Sequence, residues 1–199
     1  MPLTLISTIY EGEATNAAII RFSPDKVILV GVDKSDPERK STLNKSIAKL
    51  KEKYKLLKFE MLNTSIYDIA RIAEDVSDKI AEEFKLKNEI ILHISEGRKT
   101  QFLGLLFAGY LQKDKIKGIY YMIQETNQAL AMPLLDLKLS ETKKFILKEL
   151  SEGNKKISAI VEKSKKSKSM IYAHIEELKR EGFLSENLDV TDVGRICLL

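Results

Sequence analysis

Two short loops contain the residues whose types and spacing could bind a ligand. Loop 95–100 reads Ser-Glu-Gly-Arg-Lys-Thr and combines hydroxyls, a glycine and two adjacent cations. Hydroxyls and backbone N–H groups bind phosphate oxygens, and Arg98 and Lys99 would neutralise their charge. This composition indicates an anionic, phosphate-bearing ligand, although the carboxylate of Glu96 works against a simple phosphate cradle.

The second loop, residues 10–15, reads Tyr-Glu-Gly-Glu-Ala-Thr. Gly12 would let the backbone approach a ligand closely. Thr15 could cap a following helix, whose N-terminal N–H groups would then face the ligand. A plain turn with a helix cap would use the same residues, so both interpretations stay open for this loop alone.

The chain lacks the better-known signatures of phosphate, metal and acyl chemistry. Neither GxxxxGK[ST] nor GxGxxG occurs, so a bound NAD is not expected. One cysteine, Cys197, and two histidines, His93 and His174, are too few for a zinc site of the Cys/His type. No nucleophile elbow or triad order is present either. We therefore predict no metal, no resident cofactor and no catalytic residue.

Strand and helix patterns alternate along the first two thirds of the chain. Apolar runs predict strands at 3–10, 26–31, 58–62, 89–95 and 117–123, with a sixth candidate at 130–137. Amphipathic periodicity predicts helices at 15–22, 37–54, 66–84 and 98–111. This alternation is typical of an α/β fold with a parallel sheet covered by helices on both faces.

The expected strand order of such a sheet, 3-2-1-4-5, makes strands 1 and 4 neighbours. Ligands bind beyond the carboxyl ends of these two strands, where both polar loops would lie. The candidate ligand-binding residues are Tyr10, Glu11, Gly12, Thr15, Ser95, Gly97, Arg98, Lys99 and Thr100.

The pattern changes near residue 139, which predicts a first domain of residues 1–138 and a second of residues 139–199. Helical periodicity dominates the second domain, with helices beginning after Ser140, at 157–163 and near Ser167. Residues 183–190 could form two short paired strands, so the order of elements is that of a helix-turn-helix followed by a wing.

Basic residues are concentrated in this second domain. The whole chain has a net charge of +4, yet residues 155–180 contain eight lysines and arginines against three glutamates. Recognition helices read bases with their N-terminal residues, while flanking lysines neutralise phosphates. The candidate DNA-contacting residues are Lys165, Lys166, Lys168, Ser169, Met170 and Tyr172. A small helical dimerisation domain is the alternative interpretation.

The second domain resembles the winged helix-turn-helix regulators of the MarR/ArsR kind. Their recognition helices often read S-x-S-T-V-S-x-H-L followed by L-x-x-x-G-L/F. Residues 167–175 read Ser-Lys-Ser-Met-Ile-Tyr-Ala-His-Ile, and Leu178, Gly182 and Phe183 follow at the matching positions. Residues 191–195 resemble the T-x-x-G-R that comes after the wing.

The first domain resembles the CARF domain, the Rossmann-like sensor of CRISPR-associated systems. The typical CARF signature after strand 4 is a hydroxyl residue followed by x-G-x-[KR], which residues 95–99 match. Many CARF domains have Gly-Gly in this loop and Asn on the strand, where this chain has Glu96-Gly97 and His93. Together the two resemblances indicate the archaeal CARF–winged-helix transcription regulators.

The resemblance implies a homodimer that binds double-stranded DNA. In such proteins a cyclic oligoadenylate, most often cyclic tetra-adenylate, binds across the twofold axis of two CARF domains. A twofold site suits a ring of matching symmetry. The ring would reposition the two winged helices and so change their fit to the DNA half-sites.

Two other functions are compatible with the same residues. The crevice could cleave the ring as a metal-independent ring nuclease, or the first domain could only dimerise and bind no ligand. No apolar run is long enough for a transmembrane helix, and no secretion signal opens the chain. We therefore expect a cytoplasmic protein without membrane contact.

Overall fold

The computed structural model describes residues 1–32, 37–123, 125–135 and 139–198. The chain divides into two compact units, Met1–Asp136 and Leu137–Leu199. The predicted boundary between residues 138 and 139 depends on residues 136–138, which lie outside the described residues.

The first unit is built on one six-stranded sheet. Its strands are β1 (Leu3–Thr8), β2 (Lys26–Val32), β3 (Lys58–Thr64), β4 (Glu89–His93), β5 (Gly118–Ile123) and β6 (Gln128–Ala131). The spatial order is β3-β2-β1-β4-β5-β6, and the first five strands are parallel. The predicted order 3-2-1-4-5 is therefore confirmed.

The sixth strand differs from its prediction. It begins at Gln128 rather than residue 130, and it pairs antiparallel with β5, from Tyr120 opposite Ala131 to Ile123 opposite Gln128. Antiparallel neighbours can be joined by a short turn, whereas parallel ones need a long crossover. The turn at 125–127, where Asn127 has φ 52°, returns the chain directly along β5.

Helices cover both faces of this sheet. They are α1 (Glu13–Phe22), α2 (Pro37–Lys53), α3 (Ile69–Lys85) and α4 (Lys99–Leu111). Leu5 and Leu29 of the strands pack with Ala18 of α1 and Leu50 of α2 in one cluster. On the other face α4 approaches α3 so closely that a Cβ on Gly104 would lie 2.3 Å from Ile72 Cγ2.

The second unit contains α5 (Glu141–Ser151), α6 (Ile157–Ser164), α7 (Lys168–Arg180) and α8 (Asp192–Cys197). Ser140 and Ser167 cap α5 and α7 with their hydroxyls, as expected from their positions. The apolar positions at helical spacing form the core. Its fully or nearly fully buried members are Ile146, Leu147, Leu150, Ile160, Ile171, Ile175, Leu178 and Leu184.

Two features of this unit depart from the sequence prediction. The two wing strands reduce to a single antiparallel bridge between Leu184 and Val190. A further short helix, α8, follows because the Thr191 hydroxyl accepts a hydrogen bond from Gly194 N (3.2 Å). None of the described helices is long and apolar enough to cross a lipid bilayer.

Candidate functional site

The carboxyl ends of β1 and β4 lie side by side, with Ser7 paired to His93 in register. The loops that follow them enclose a pocket of about 470 Å³. The pocket is lined by Tyr10, Glu11, Glu13, Ala14, Ser95, Glu96, Gly97, Met122 and Asn127. The topology therefore brings the two polar loops together, as expected for a switch point of an open α/β sheet.

The side chain of Glu96 is part of the pocket lining and accepts hydrogen bonds from the backbone of the loop that follows β1. Its Oε2 accepts hydrogen bonds from the backbone N–H groups of Tyr10 and Gly12, both at 2.9 Å. Its Oε1 accepts from Ala14 N (2.7 Å) and Thr15 N (3.3 Å). A carboxylate thus fills the N-terminus of α1, where the partial positive charge of the helix favours an anion.

The predicted capping role of Thr15 is wrong. Gly12 has φ 86° and ends the loop early, so α1 begins at Glu13 and Thr15 is its third residue. The Thr15 side chain is buried, and its hydroxyl lies within hydrogen-bonding distance of Thr8 O (3.3 Å) and Glu96 Oε2 (3.4 Å). The carboxylate of Glu96 supplies the cap instead.

The loop between β4 and α4 is held by its own hydrogen bonds. Gly97 has φ 82°, and Arg98 N donates to Gln101 Oε1 (2.9 Å). Gln101 is buried and donates from Nε2 to Val30 O (3.2 Å). The Thr100 hydroxyl donates to Ile66 O (2.7 Å) and so links α4 to the loop before α3.

The two cations of this loop lie outside the pocket lining. The Arg98 guanidinium stacks over the ring of Tyr67, with 5.4 Å between Cζ and the ring centroid. Lys99 is exposed and has no ion-pair partner in the described part of the chain. Of the predicted ligand residues, Tyr10, Glu11, Ser95 and Gly97 line the pocket. Gly12, Thr15, Arg98, Lys99 and Thr100 do not.

His93 lies below the pocket and is fully buried. Its Nδ1 is 2.7 Å from Ser7 Oγ, while Nε2 has no hydrogen-bond partner among the described residues. Burial lowers the pKa of His93 to about 4, because the charged imidazolium would lose its hydration. The ring is therefore neutral at pH 7.

A second cavity of about 740 Å³ lies between α1 and α2 and shares Glu11, Glu13 and Asn127 with the first. Basic side chains from both helices line it, namely Arg21, Lys49 and Lys53. The sequence gives no sign of this groove, because its lining residues are scattered over two helices. The only signal for Asn127 was its place in a turn, where asparagine tolerates positive φ.

No group of three or more histidine, cysteine or carboxylate side chains in the described ranges could hold a metal ion.

The turn before α7 and the first turns of α7 form a continuous exposed surface. Residues 165–170 are exposed, as are Tyr172 and Ala173, while Ile171 and Ile175 point into the core. Met170 is 43% and Tyr172 is 42% exposed, a high value for apolar side chains. All six predicted DNA-contacting residues are therefore accessible at the helix-turn-helix.

The lysines of the second unit fall into two groups. Lys143, Lys155, Lys163 and Lys179 each pair with a carboxylate. Lys165, Lys166 and Lys168 make no ion pair to any described residue. The Lys168 ammonium lies 5.8 Å from the centroid of the Tyr172 ring. Three lysines without an ion pair thus lie at or just before the N-terminus of α7. Elsewhere among the described residues of this unit Lys144, Lys148 and Lys156 also make none.

The C-terminal segment of the chain matches a known protein family. Residues 140–186 match the family described as bacterial regulatory protein, arsR family. This range covers α5 to α7 and the start of the wing. No curated protein matches the chain by sequence at a significant level.

Solved structures share the fold at low sequence identity. Csm6 of Enterococcus italicus, bound to cyclic hexa-2′-fluoro-hexa-dAMP, has a TM-score of 0.56 and 13% identity over 93% of this chain. A type III CRISPR defence DNA nuclease activated by cyclic oligoadenylate has a TM-score of 0.50 and 11% identity over 90% of this chain. The chain covers 55% of the first protein and 30% of the second.

The order of the strands, the position of the crevice and these similarities agree with one another. The chain carries a C-terminal helix-turn-helix that matches the arsR family model, attached to an N-terminal unit with a Rossmann-like fold similar to that of the solved structures above.

Proposed function

We propose that the protein is a ligand-responsive, DNA-binding transcription regulator that senses a cyclic oligoadenylate. One observation carries the proposal. A single chain joins an ArsR-type helix-turn-helix to a switch-point pocket in a fold shared with a protein that binds a cyclic oligonucleotide. The regulator would act in the cytoplasm, where its DNA is.

The charge distribution of the second unit supports DNA as the partner. Phosphate contacts need cations that are not already neutralised by neighbouring carboxylates. Lys165, Lys166 and Lys168 meet that condition, whereas the four ion-paired lysines do not. Ser169, Met170 and Tyr172 are exposed beside them, where a recognition helix presents its base-reading side chains.

We propose that the working form is a homodimer and that its effector is cyclic tetra-adenylate. Two copies related by a twofold axis would present two identical loop pairs to a ring of matching symmetry. The same axis would set the spacing of the two recognition helices over two DNA half-sites. The regulated genes would be CRISPR-associated genes of the archaeal type.

Calorimetric titration with cyclic tri-, tetra- and hexa-adenylate tests the ligand, and chromatography of the recovered ring tests for cleavage. We expect saturable binding of about one intact tetra-adenylate ring per dimer, with the dimer measured by sedimentation. Linear products would instead establish a ring nuclease. Absence of binding to all three rings would leave a DNA-binding protein whose first unit has another role.

DNA binding is tested separately with duplexes selected from genomic fragments. We expect the ring to change the affinity for the selected duplex, since a regulator needs a coupling between its two sites. Equal affinities with and without the saturating ring would contradict the ligand-responsive part of the proposal.

A further inference from the structure

Four backbone donors at the start of α1 are already used. Four N–H groups, from Tyr10, Gly12, Ala14 and Thr15, converge on the two carboxylate oxygens of Glu96 at 2.7 to 3.3 Å. Two carboxylate oxygens have about four lone-pair positions in total. The side chain therefore occupies the position that a ligand phosphate would take at this helix N-terminus.

The pocket beside this carboxylate is negatively charged. Glu11, Glu13 and Glu96 line it, and no lysine or arginine is among its described lining residues. Arg98 is stacked on Tyr67, and Lys99 is exposed beyond the lining. A phosphate placed here would meet three like charges, and four nearby backbone donors are already bound to Glu96, so the pocket disfavours it.

A neutral, hydrogen-bonding group fits the same pocket much better. The carboxylates of Glu11 and Glu13 can accept from hydroxyl or amino groups, and Asn127 and Ser95 add further polar atoms. A volume of about 470 Å³ lies within the range of small-ligand pockets. The aromatic residue Tyr10 is also among the lining residues.

We infer that Glu96 is a specificity-determining residue that excludes phosphate from this pocket and reserves it for a neutral group, such as the base or sugar of a nucleoside. The identity of the whole ligand rests on the proposed function, whereas the exclusion of phosphate does not. The phosphates of a bound ring must then be contacted outside the pocket.

The test compares inorganic phosphate and adenosine as probes of the full-length wild type and E96A. We expect the wild type to bind adenosine and to show no saturable phosphate binding. In E96A the four N–H groups lose the carboxylate that accepts their hydrogen bonds, and we expect phosphate to bind at least about tenfold more tightly than in the wild type. Tighter binding of phosphate than of adenosine to the wild type would overturn the inference.

The matched control is E11A, which removes the same charge from the same pocket without freeing any of the four N–H groups. We expect no saturable phosphate binding to E11A, and a gain equal to that of E96A would show a general charge effect and overturn the inference. If circular dichroism shows E96A to be unfolded, E96Q replaces it: its amide keeps one acceptor oxygen, so two of the four N–H groups lose their acceptor, and phosphate should bind E96Q more tightly than E11A.

Cyclic tetra-adenylate titrated into the same proteins separates this inference from the proposed function. If the ring binds no variant while phosphate still binds E96A alone, the effector is wrong and the role of Glu96 stands. If the ring binds the wild type but phosphate binding is the same in all variants, the effector stands and the role of Glu96 is wrong.

Discussion

Ser7 and His93 meet at hydrogen-bond distance across the β1–β4 pair, with 2.7 Å between Oγ and Nδ1. The Ser7 hydroxyl also lies 3.3 Å from Thr15 Oγ1, which in turn is 3.4 Å from Glu96 Oε2. Four polar side chains therefore form a chain of contacts from the centre of the sheet to the pocket wall. These contacts connect the buried imidazole to the carboxylate that caps α1.

The first prediction concerns the pH dependence of stability. Burial holds the pKa of His93 at about 4 in the folded protein, against 6.5 for an ordinary histidine. The unfolded chain binds the proton more readily between these values, so His93 favours folding fully above pH 6.5. That contribution is lost as the pH falls towards 4, by up to about 3 kcal/mol at roughly 1.36 kcal/mol per pKa unit.

Urea unfolding at several pH values between 4.5 and 7.5 checks this, with H93Q as the comparison. The Gln side chain has a similar length and does not titrate. The free energy of unfolding of H93Q should therefore fall less than that of the wild type as the pH is lowered. Other titrating groups affect both proteins alike. Parallel curves for the two proteins would show that His93 is not the group responsible.

The second prediction concerns Gly97. Its φ of 82° is one that side-chain-bearing residues rarely adopt, and an added Cβ would lie 2.8 Å from Gln101 Oε1 and 3.3 Å from Thr8 Cβ. The left-handed conformation alone costs about 1–2 kcal/mol and the crowding adds about 1–3 kcal/mol. We expect G97A to lower the free energy of unfolding by about 2–5 kcal/mol.

G12A is the matched control for that substitution. Gly12 has a similar φ of 86°, but an added Cβ there would come no closer than 3.4 Å to Ser46 Cβ, which is ordinary contact. Urea unfolding of both variants should therefore show the larger loss in G97A. A larger or equal loss in G12A would contradict the role of Gln101 and Thr8 in crowding the loop.

The strand order could be predicted because buried parallel strands are continuous apolar runs separated by amphipathic helices. Lys26–Val32 and Glu89–His93 are such runs, and their alternation with helices restricts the topology. The antiparallel β6 could not be predicted in the same way. Its four residues are too few for a periodic signal, and its direction depends on the turn at 125–127.

The residues that line the pocket were harder to predict than the position of the pocket in the fold. Topology puts the two loops together, but the contact between Glu96 and Ala14 spans 82 positions and depends on side-chain direction. Residue types alone favoured phosphate binding by Arg98 and Lys99, and the geometry places both outside the pocket lining. The helix α8 was not predicted, because its six residues span fewer than two turns and give only a weak periodic pattern.

The third prediction concerns Lys99. Its ammonium is exposed at the start of α4 and has no ion-pair partner in the ranges that the structure describes. We expect it to contact a phosphate of the bound ring outside the pocket, so K99A should lose the change in DNA affinity caused by cyclic tetra-adenylate. Basal DNA affinity should remain, because Lys99 belongs to the other unit.

Fluorescence anisotropy of a labelled duplex, with and without saturating ring, measures both quantities in one experiment. K85A removes the same charge from an exposed position at the end of α3 and should retain the full response. A K99A protein that responds as strongly as K85A would remove Lys99 from the ligand site.

The last prediction concerns the three unpaired lysines at the N-terminus of α7. Each phosphate contact releases a counterion, so the logarithm of the DNA association constant falls with the logarithm of salt by about 0.9 per contact. Removing Lys166 or Lys168 should make that slope shallower by about one per lost contact, hence by about two for a dimer. It should weaken binding to all duplexes by similar factors, since phosphate contacts do not specify sequence.

Binding isotherms from low to physiological salt give the slopes for K166A and K168A, with K85A as the equal-charge control in the other unit. The wild-type slope should be retained in K85A. Tyr172 provides the contrast within α7, because an exposed ring near Lys168 can contact bases. Y172A should therefore keep the salt slope and reduce the preference for the selected duplex. A slope that changes as much in K85A as in K166A would show an effect of net charge rather than contact with DNA by α7.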